Sequence, residues 1–467
     1  MKMWSGRFRQ PLDPDFERWQ RSFDFDRRLL RYEVVASAAH AHALKNAGIL
    51  SDDELIRVLQ GLEDIGQQAT NFPGFYSDGD AEDVHHFVEK QLVGLIGELG
   101  YKLHSGRSRN EQIATDLRLY VRAAIDQLRQ QLGNFCAAIA DRADQFRDAA
   151  MPAYTHLQKA EPVLVGHWLL AYVEMFLRDA GRLADCRTRL NLCPLGSGAV
   201  AGATVPLDRE TMAKNLGFDG PTANSLDATS DRDFAVEFVN ALSLLAIHLS
   251  RWAEEMILFS SQEYGFIGLP ETYSTGSSAM PQKKNPDLLE LVRGKSGRVL
   301  GNATALAVTL KGLPLAYNKD LQETQEPVFE AAGTFLQMLP LVSGWMKAVE
   351  LRVDRMQRAA QTGFMNAWAG ATYLVRRGVP SRLAHERVGK AVQLGLERGC
   401  ELQELPLPDL KNISPEFDQD FYESMTLASV LALHDVPGGT APERVRKAIQ
   451  LSRKRIESLH EEVHAHA

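Results

Sequence analysis

The chain has 467 residues, 45% hydrophobic and 24% charged, the balance of a soluble globular protein and not of a collagenous, disordered or disulfide-scaffold chain. Lys and Arg number 52 against 60 Asp and Glu, a formal net charge of −8, so a broad basic face for nucleic acid or an anionic membrane is not expected. At roughly 150 residues per domain the length suggests about three domains. Cys136, Cys186, Cys193 and Cys400 form no C-x-x-C pair and show no metal-finger spacing, which fits reduced thiols in a cytoplasmic protein. No apolar core follows the positive charges of the first residues, so a signal peptide is not expected.

In chain order, a helix is predicted from about Leu29 with a stop at Gly48. Ser51 and Glu54 form a capping box ahead of Leu55, Val58, Leu59 and Leu62, which have helical spacing. The stretch 107–151 is interrupted only by Gly133, and 163–193 only by Gly166 and Gly181. Between Thr222 and Tyr264 there is neither Gly nor Pro; as one helix it would be roughly 60 Å long at about 1.5 Å per residue. Asn285 and Pro286 predict an N-cap and first helical position for 286–311, and 328–361 reads as a fifth helix kinked at Pro340. Alternating strand patterns are scarce. The fold expected is nearly all α, with a central long-helix bundle.

The most apolar segment, 234–259, is interrupted by Glu237, His248, Arg251, Glu254 and Glu255, and its longest uncharged stretch reads as too short to span a bilayer. Phe238, Val239, Leu242, Leu245, Ile247, Leu249, Trp252 and Ile257 do not share one narrow stripe, so the helix is buried on several sides. Association of subunits is the economical way to cover such helices; an internal core helix of a larger fold is the plainer alternative.

Polar residues crowd into a few connections. Gly276-Ser277-Ser278-Ala279-Met280-Pro281-Gln282-Lys283-Lys284-Asn285-Pro286 combines small residues, whose backbone N–H groups can form an anion-binding nest, with a cation and an amide near a helix start. That combination suits a carboxylate and a developing oxyanion; a flexible polar linker is the plainer alternative. Arg107 and Arg109, beside Ser105, Ser108 and Asn110, suit a dicarboxylate, or a helix cap with solvated arginines. Thr155-His156-Leu157-Gln158 follows a helix break at Met151-Pro152. His85-His86 follows Asp80, Glu82 and Asp83, but adjacent helical positions do not share a face and no H-E-x-x-H spacing occurs, so a metal site is rejected.

The 276–286 loop resembles the fumarase/aspartase superfamily signature G-S-S-x-M-P-x-K-x-N-P at all eight fixed positions. Further stretches are similar to the argininosuccinate lyase family: Trp4–Phe8, Ser105–Asn110, Tyr154–Gln158, Pro194–Gly198, Asn224–Asp227, Ser230–Phe234, Tyr317–Glu323, Arg377–Pro380 and Gly438–Pro442. The resemblance implies a fumarase/aspartase-like fold of three domains, 1–107, 108–360 (the long-helix bundle carrying the oligomer core) and 361–467. It also implies a homotetramer with a shared helical core and active sites built from three subunits. The implied reaction is reversible cleavage of argininosuccinate to arginine and fumarate without metal or organic cofactor. Partners are then this small-molecule substrate and further copies of the chain, with no nucleic acid and no membrane.

By the same resemblance Ser277 is the base, with Gly276 and neighbouring backbone N–H groups lowering the pKa of its hydroxyl and Ser278 beside it binding substrate. Lys283 and Asn285 neutralise the aci-carboxylate intermediate, and His156, oriented by Glu290, supplies the proton to the departing nitrogen. Ser22, His85, Ser108, Arg109, Asn110, Thr155, Tyr317 and Gln322 line the substrate. The chain departs from the family pattern at Thr324-Gln325, where Asp-Lys is usual and the lysine would contact substrate. It departs also at Glu111 for aspartate, Glu161 for glutamine, and Asn366–Ala369 where Ala-Thr-Asp-Leu is usual. The alternatives are another superfamily lyase acting on a different succinyl or aspartyl compound, and a non-catalytic crystallin-like protein.

Overall fold

The structure, a computed structural model, describes residues 10–77 and 81–466; Trp4–Phe8 and Asp80 lie outside the described residues. Five long helices dominate it: Arg109–Gln145, Val165–Leu190, Asp233–Ser260, Asp287–Leu310 and Gln325–Ala348. They correspond to the five segments expected, and the nearly all-α class holds. The early helices also form as their signals dictate. Leu30–Asn46 is followed by Gly48 at φ +77°, and Asp52–Asn71 begins in a capping box with both Ser51 and Glu54 bonds made.

Three expectations are corrected. The Gly- and Pro-free stretch 222–264 is two helices, Ser225–Ser230 and Asp233–Ser260. Asn224 Oδ1 caps the first by accepting from the N–H groups of Leu226 and Asp227, and at the break Asp231 Oδ1 accepts from Asp233 N at 2.7 Å, capping the second. The fifth segment contains Pro340 as expected, but its helix ends at Ala348; Glu350–Leu351 then pairs as a strand with Ile267–Gly268, and Val353–Ala359 is a separate short helix. Asn285 does not cap the helix that starts at Asp287. Its Nδ2 donates to Thr275 Oγ1 (3.3 Å) and Gly276 O (3.4 Å).

Among the described residues, the helix Asp233–Ser260 is long and apolar enough to cross a membrane by length and composition, contrary to the expectation from its uncharged stretch. In the fold 56% of its most apolar window is buried.

The chain divides into two units. One comprises Met1–Gln127, Arg182–Ser243 and Arg298–Thr334; the other comprises Leu128–Gly181, Leu244–Gly297 and Phe335–Ala467. In the first, buried Ala36, Leu119, Leu195, Met212 and Phe218 form one apolar cluster. In the second, the indole of Trp252 is fully buried and meets Phe135 and Trp345 edge-on, at 5.2 and 5.3 Å between centroids. A further cluster of its own, including Leu374, Val388, Leu402, Phe417 and Phe421, holds the C-terminal helices together.

The second unit also contains a β-hairpin that the sequence patterns did not announce, Ala150–Thr155 paired with Gln158–Leu164. Pro152 and Pro162 exclude a helix here, and pairing of Thr155 with Gln158 leaves a two-residue turn, His156–Leu157. Both turn residues have positive φ, +56° and +57°. Such a turn matches the twist of the flanking strands but favours Asn-Gly; side chains in sparsely populated backbone regions cost of order 1–3 kcal/mol each.

Trp252→Ala is expected to destabilise the second unit by about 3–5 kcal/mol through the cavity it leaves. Denaturant unfolding followed by circular dichroism measures this; a midpoint equal to that of the unaltered protein would contradict the packing described.

Candidate active site

In the first unit, two of the expected substrate-lining residues, Ser22 and Arg109, contact Glu82 or Asp83 directly. Ser22 N donates to Glu82 O (3.0 Å), and its buried hydroxyl donates to Asp26 Oδ2 (2.6 Å). The Arg109 guanidinium pairs with Asp83 Oδ2 at 2.9 Å and Glu82 Oε2 at 3.5 Å, and Lys319 Nζ lies 3.8 Å from Glu82 Oε1. Gln322 Nε2 donates to Gln20 O at 3.2 Å, beside Ser22. Tyr317 is half-buried and follows Ala316, which has φ +68°; burial raises its hydroxyl pKa against the pull of Arg232. Burial, then the Asp83 charge, pushes Asp26 up to about 7.

The helix that carries Ser108, Arg109 and Asn110 starts in a second cap: Ser108 N donates to Glu111 Oε1 (3.0 Å) and Ser108 Oγ accepts from Asn110 N (3.3 Å). Glu111 is buried and its other oxygen accepts from Gly198 N at 3.0 Å. The longer reach of glutamate thus ties this helix start to the Pro194–Gly198 turn. Asn110 Nδ2 donates to Ala199 O (3.3 Å) in the same place. Arg107 differs from its sequence reading as a carboxylate binder. Its guanidinium turns inward, donating to Ser37 Oγ (2.8 Å) and lying 3.8 Å from Glu33 Oε1.

His85 is buried, with Nδ1 2.8 Å from Glu33 Oε2 and 3.7 Å from Asp116 Oδ2. Ligand atoms of these three residues lie within 4.8 Å of one another. Glu33 Oε1 also accepts from Ser37 Oγ (2.6 Å) and Gln112 Nε2 (3.0 Å), whereas His85 Nε2 and both Asp116 carboxylate oxygens are buried without a hydrogen-bond partner among the described residues. Burial opposes charge on the His85 ring, but the Glu33 carboxylate, by charge and hydrogen bond, raises its pKa overall. Burial likewise opposes ionisation of Glu33, yet His85 and Arg107 hold it well below the usual carboxylate range. Asp116 is raised, by burial first and then by the Glu33 charge.

In the second unit, the signature loop folds back on itself. Thr275–Gly276 pairs antiparallel with Lys284–Asn285, and Asp287 Oδ2 accepts from Thr275 N (3.1 Å) and Oγ1 (2.7 Å), closing the base of the loop. At its head Ser277 Oγ accepts from Ala279 N (3.3 Å) and Met280 N (3.1 Å). Lys283 N donates to Met280 O (3.1 Å), and Lys283 and Ser278 are exposed. Lys284 does not face the same way; its Nζ contacts Leu269 O and Glu271. Glu290, in the first turn of Asp287–Leu310, is exposed. His156 and Thr155 stand exposed at the hairpin turn. Among the described residues the His156 imidazole makes no hydrogen bond, to Glu290 or to the signature loop.

Glu33, Asp116 and Asp26 are not singled out by the sequence as site residues, and Glu82 enters there only with the rejected metal cluster. A lone carboxylate in a helical pattern reads as solvated surface, and only the fold reveals that these four are partnered. Thr324 and Gln325 are buried at the start of Gln325–Ala348, and Asn366 Nδ2 donates to Gln403 Oε1 (2.7 Å).

The raised histidine contributes stability fully below its ordinary pKa, about 6.5, and loses it as pH rises through the shifted value. The lowered glutamate contributes above its ordinary pKa, about 4.3, and loses it as pH falls. Glu33→Gln is therefore expected to lower stability by about 3–5 kcal/mol between those values, with the gap narrowing as the pH becomes alkaline. Melting curves against pH test this; curves for variant and unaltered protein that coincide at every pH would refute the pairing.

Residues 6–301 match the model of a lyase family, and residues 364–432 match the argininosuccinate lyase C-terminal family. The chain is 57% identical over 467 residues to an argininosuccinate lyase of Koribacter versatilis, covering all of both chains. It is 58% identical over 464 residues to an argininosuccinate lyase of Acidobacterium capsulatum, covering 98% of this chain and 96% of the relative. Among solved structures it resembles an EDDS lyase in complex with formate (TM-score 0.82, 24% identity, 98% and 93% covered). It also resembles a class II fumarase from Schistosoma mansoni (TM-score 0.72, 15% identity, 85% and 89% covered); these two likenesses bear on the fold. A signature loop complete at every fixed position, on a nearly all-α scaffold shared with fumarase, and relatives of this identity along the whole length have one reading: the chain belongs to the argininosuccinate lyase family of the fumarase/aspartase superfamily.

Proposed function

We propose that this enzyme cleaves argininosuccinate reversibly to arginine and fumarate, with Ser277 as base and His156 as acid. The observation that carries the assignment is the pair of backbone N–H groups on Ser277 Oγ. A serine hydroxyl is a weak base, and its alkoxide becomes accessible only where donors are fixed around the oxygen beforehand. Ala279 and Met280 supply two such donors at no cost in reorganisation.

In the proposed reaction the Ser277 alkoxide takes the proton from the carbon beside a carboxylate. The electron pair moves onto that carboxylate, giving the aci-carboxylate, where Lys283 and Asn285 offset the added charge. The pair then forms the double bond of fumarate as the carbon–nitrogen bond breaks, and the guanidinium nitrogen keeps the bonding pair and takes a proton from His156. The residues around Glu82 and Asp83, with Ser108, Asn110 and Thr155, hold the rest of the substrate. Arg109 serves one of its carboxylates, and Gly276 and Ser278 shape the loop.

The quaternary proposal is a homotetramer. Leu244, Ile247, Leu291 and Val308 are exposed on the long helices, and association of copies would cover them. Among the described residues His156 also has no orienting partner, which supports a site completed by residues of other subunits, Glu290 among them. The division at 107/108 and 360/361 belongs to the same proposal; the second family match, from residue 364, and the separate C-terminal apolar cluster support its later boundary. Three cysteines are buried and all four are free, which supports a reducing, cytoplasmic setting.

Purified protein incubated with argininosuccinate is expected to release fumarate, read by ultraviolet absorbance, and arginine in equal amount. Ser277→Ala should keep the oligomer and abolish turnover, and Lys283→Ala should lose about 10²–10³-fold in kcat. Turnover of adenylosuccinate or aspartate instead would assign another substrate, no turnover of any would favour a crystallin-like role, and a fully active Ser277→Ala would remove Ser277 as base.

A further inference from the structure

The hairpin presenting His156 holds a conformation that its own sequence disfavours. Two successive residues with side chains, His156 and Leu157, sit at positive φ, and such strain persists only where the surroundings over-determine it. The hairpin's first strand is also irregular, with a register shift between Pro152 and Tyr154.

Lys159 is the nearest anchor. It is the second residue of the returning strand and pairs with Tyr154, one step from the turn. Its Nζ donates to Ala359 O (2.8 Å), Thr362 Oγ1 (2.8 Å) and Thr362 O (3.3 Å). An ammonium has three protons and no acceptor, so the three oxygens use its full capacity. Burial lowers its pKa, with Glu401 opposing.

The turn that receives it is braced in the same way. Gly363 and Phe364 also have positive φ, +85° and +57°. Their N–H groups donate to the two carboxylate oxygens of Glu401, at 2.8 and 3.0 Å. Nearer the hairpin's base the ties differ in kind: His434 lies 3.5 Å from Glu161, and Leu164 N donates to Thr440 Oγ1 at 2.8 Å. Those fix the strand's root, whereas Lys159 fixes the end that carries the imidazole.

We propose that Lys159 is a positioning residue for the lyase reaction, latching the His156 hairpin to the 359–362 turn and so setting where the imidazole stands. This rests on the assignment of proton delivery to His156. Lys159 acts through the hairpin, and its effect falls on the chemical step and not on substrate affinity.

The test compares Lys159→Met, which keeps the length of the side chain and removes its donors, with Lys159→Arg and Thr362→Val in the full-length enzyme. The expected result for Lys159→Met is a kcat lower by on the order of 10–100-fold, with KM within about twofold, and melting temperature and oligomer mass unchanged. The limb of the kcat–pH profile that His156→Asn abolishes should shift in Lys159→Met. Lys159→Arg should restore part of the rate, and Thr362→Val, which removes one acceptor of three, should lose less. If His156→Asn is inactive while Lys159→Met matches the unaltered enzyme in kcat and pH profile, the latch is overturned and the acid stands. If His156→Asn is fully active, the acid assignment itself falls. A loss in Lys159→Met that comes with a lower melting temperature or a smaller oligomer, and no shift in the pH limb, overturns positioning in favour of a purely structural role.

Discussion

An oxygen atom held by two backbone N–H groups is the constraint on which the catalytic reading depends. Ser277 Oγ accepts from Ala279 and Met280, and the loop is closed beneath them by the Thr275–Asp287 bonds and the short Gly276–Lys284 pairing. Preorganisation of this kind matters because a donor already in place stabilises new charge without reorganising as the charge appears. Gly276, Ser278 and Ala279 keep bulk away from the head of the loop, while Lys283 places a cation on its exposed side. The doubled lysine is therefore asymmetric: Lys284 is spent on Leu269 and Glu271, and Lys283 is left outward.

The first unit solves a different problem, that of keeping charge in a buried place. Glu33, His85, Asp116 and Arg107 are all largely removed from water. Isolated, each would be costly there. In the cluster the Glu33 carboxylate faces the His85 ring and the Arg107 guanidinium, which hold its pKa down, while burial and the Glu33 charge hold that of Asp116 up. Around it Glu82 and Asp83 collect Arg109, Lys319 and the backbone of Ser22. Residues separated by some 300 positions in sequence, such as Gln20 and Gln322, meet at this spot.

Strain marks the same places. Positive φ at residues other than glycine occurs, among the described residues, at His156, Leu157, Ala316 and Phe364. Two of these form the turn that bears the proposed acid, one precedes Tyr317, and one lies in the turn that receives Lys159. Backbone held away from its preferred regions has to be paid for by tertiary contacts, and the bonds of Lys159 and Glu401 are contacts of that kind.

The sequence by itself determined the helical class, the five long segments, the capped start at Ser51 and the chemical character of the signature loop. These follow from periodicity, punctuation and local hydrogen bonding, all of which act within a few residues. It did not reveal the break at Asp231, where side-chain caps override an unbroken run of helix formers, nor the hairpin at 150–164, whose prolines and short strands carry no alternating pattern. The placement of Ser22, Arg109, Tyr317 and Gln322 in one unit, and of His156 and Ser277 in the other, was likewise decided only by tertiary structure. So were the inward turn of Arg107 and the partnered burial of Glu33 and Asp116. The physical reason is that a charged side chain looks the same in a string of letters whether it faces water or a buried partner; only packing between distant segments removes the water and supplies the partner.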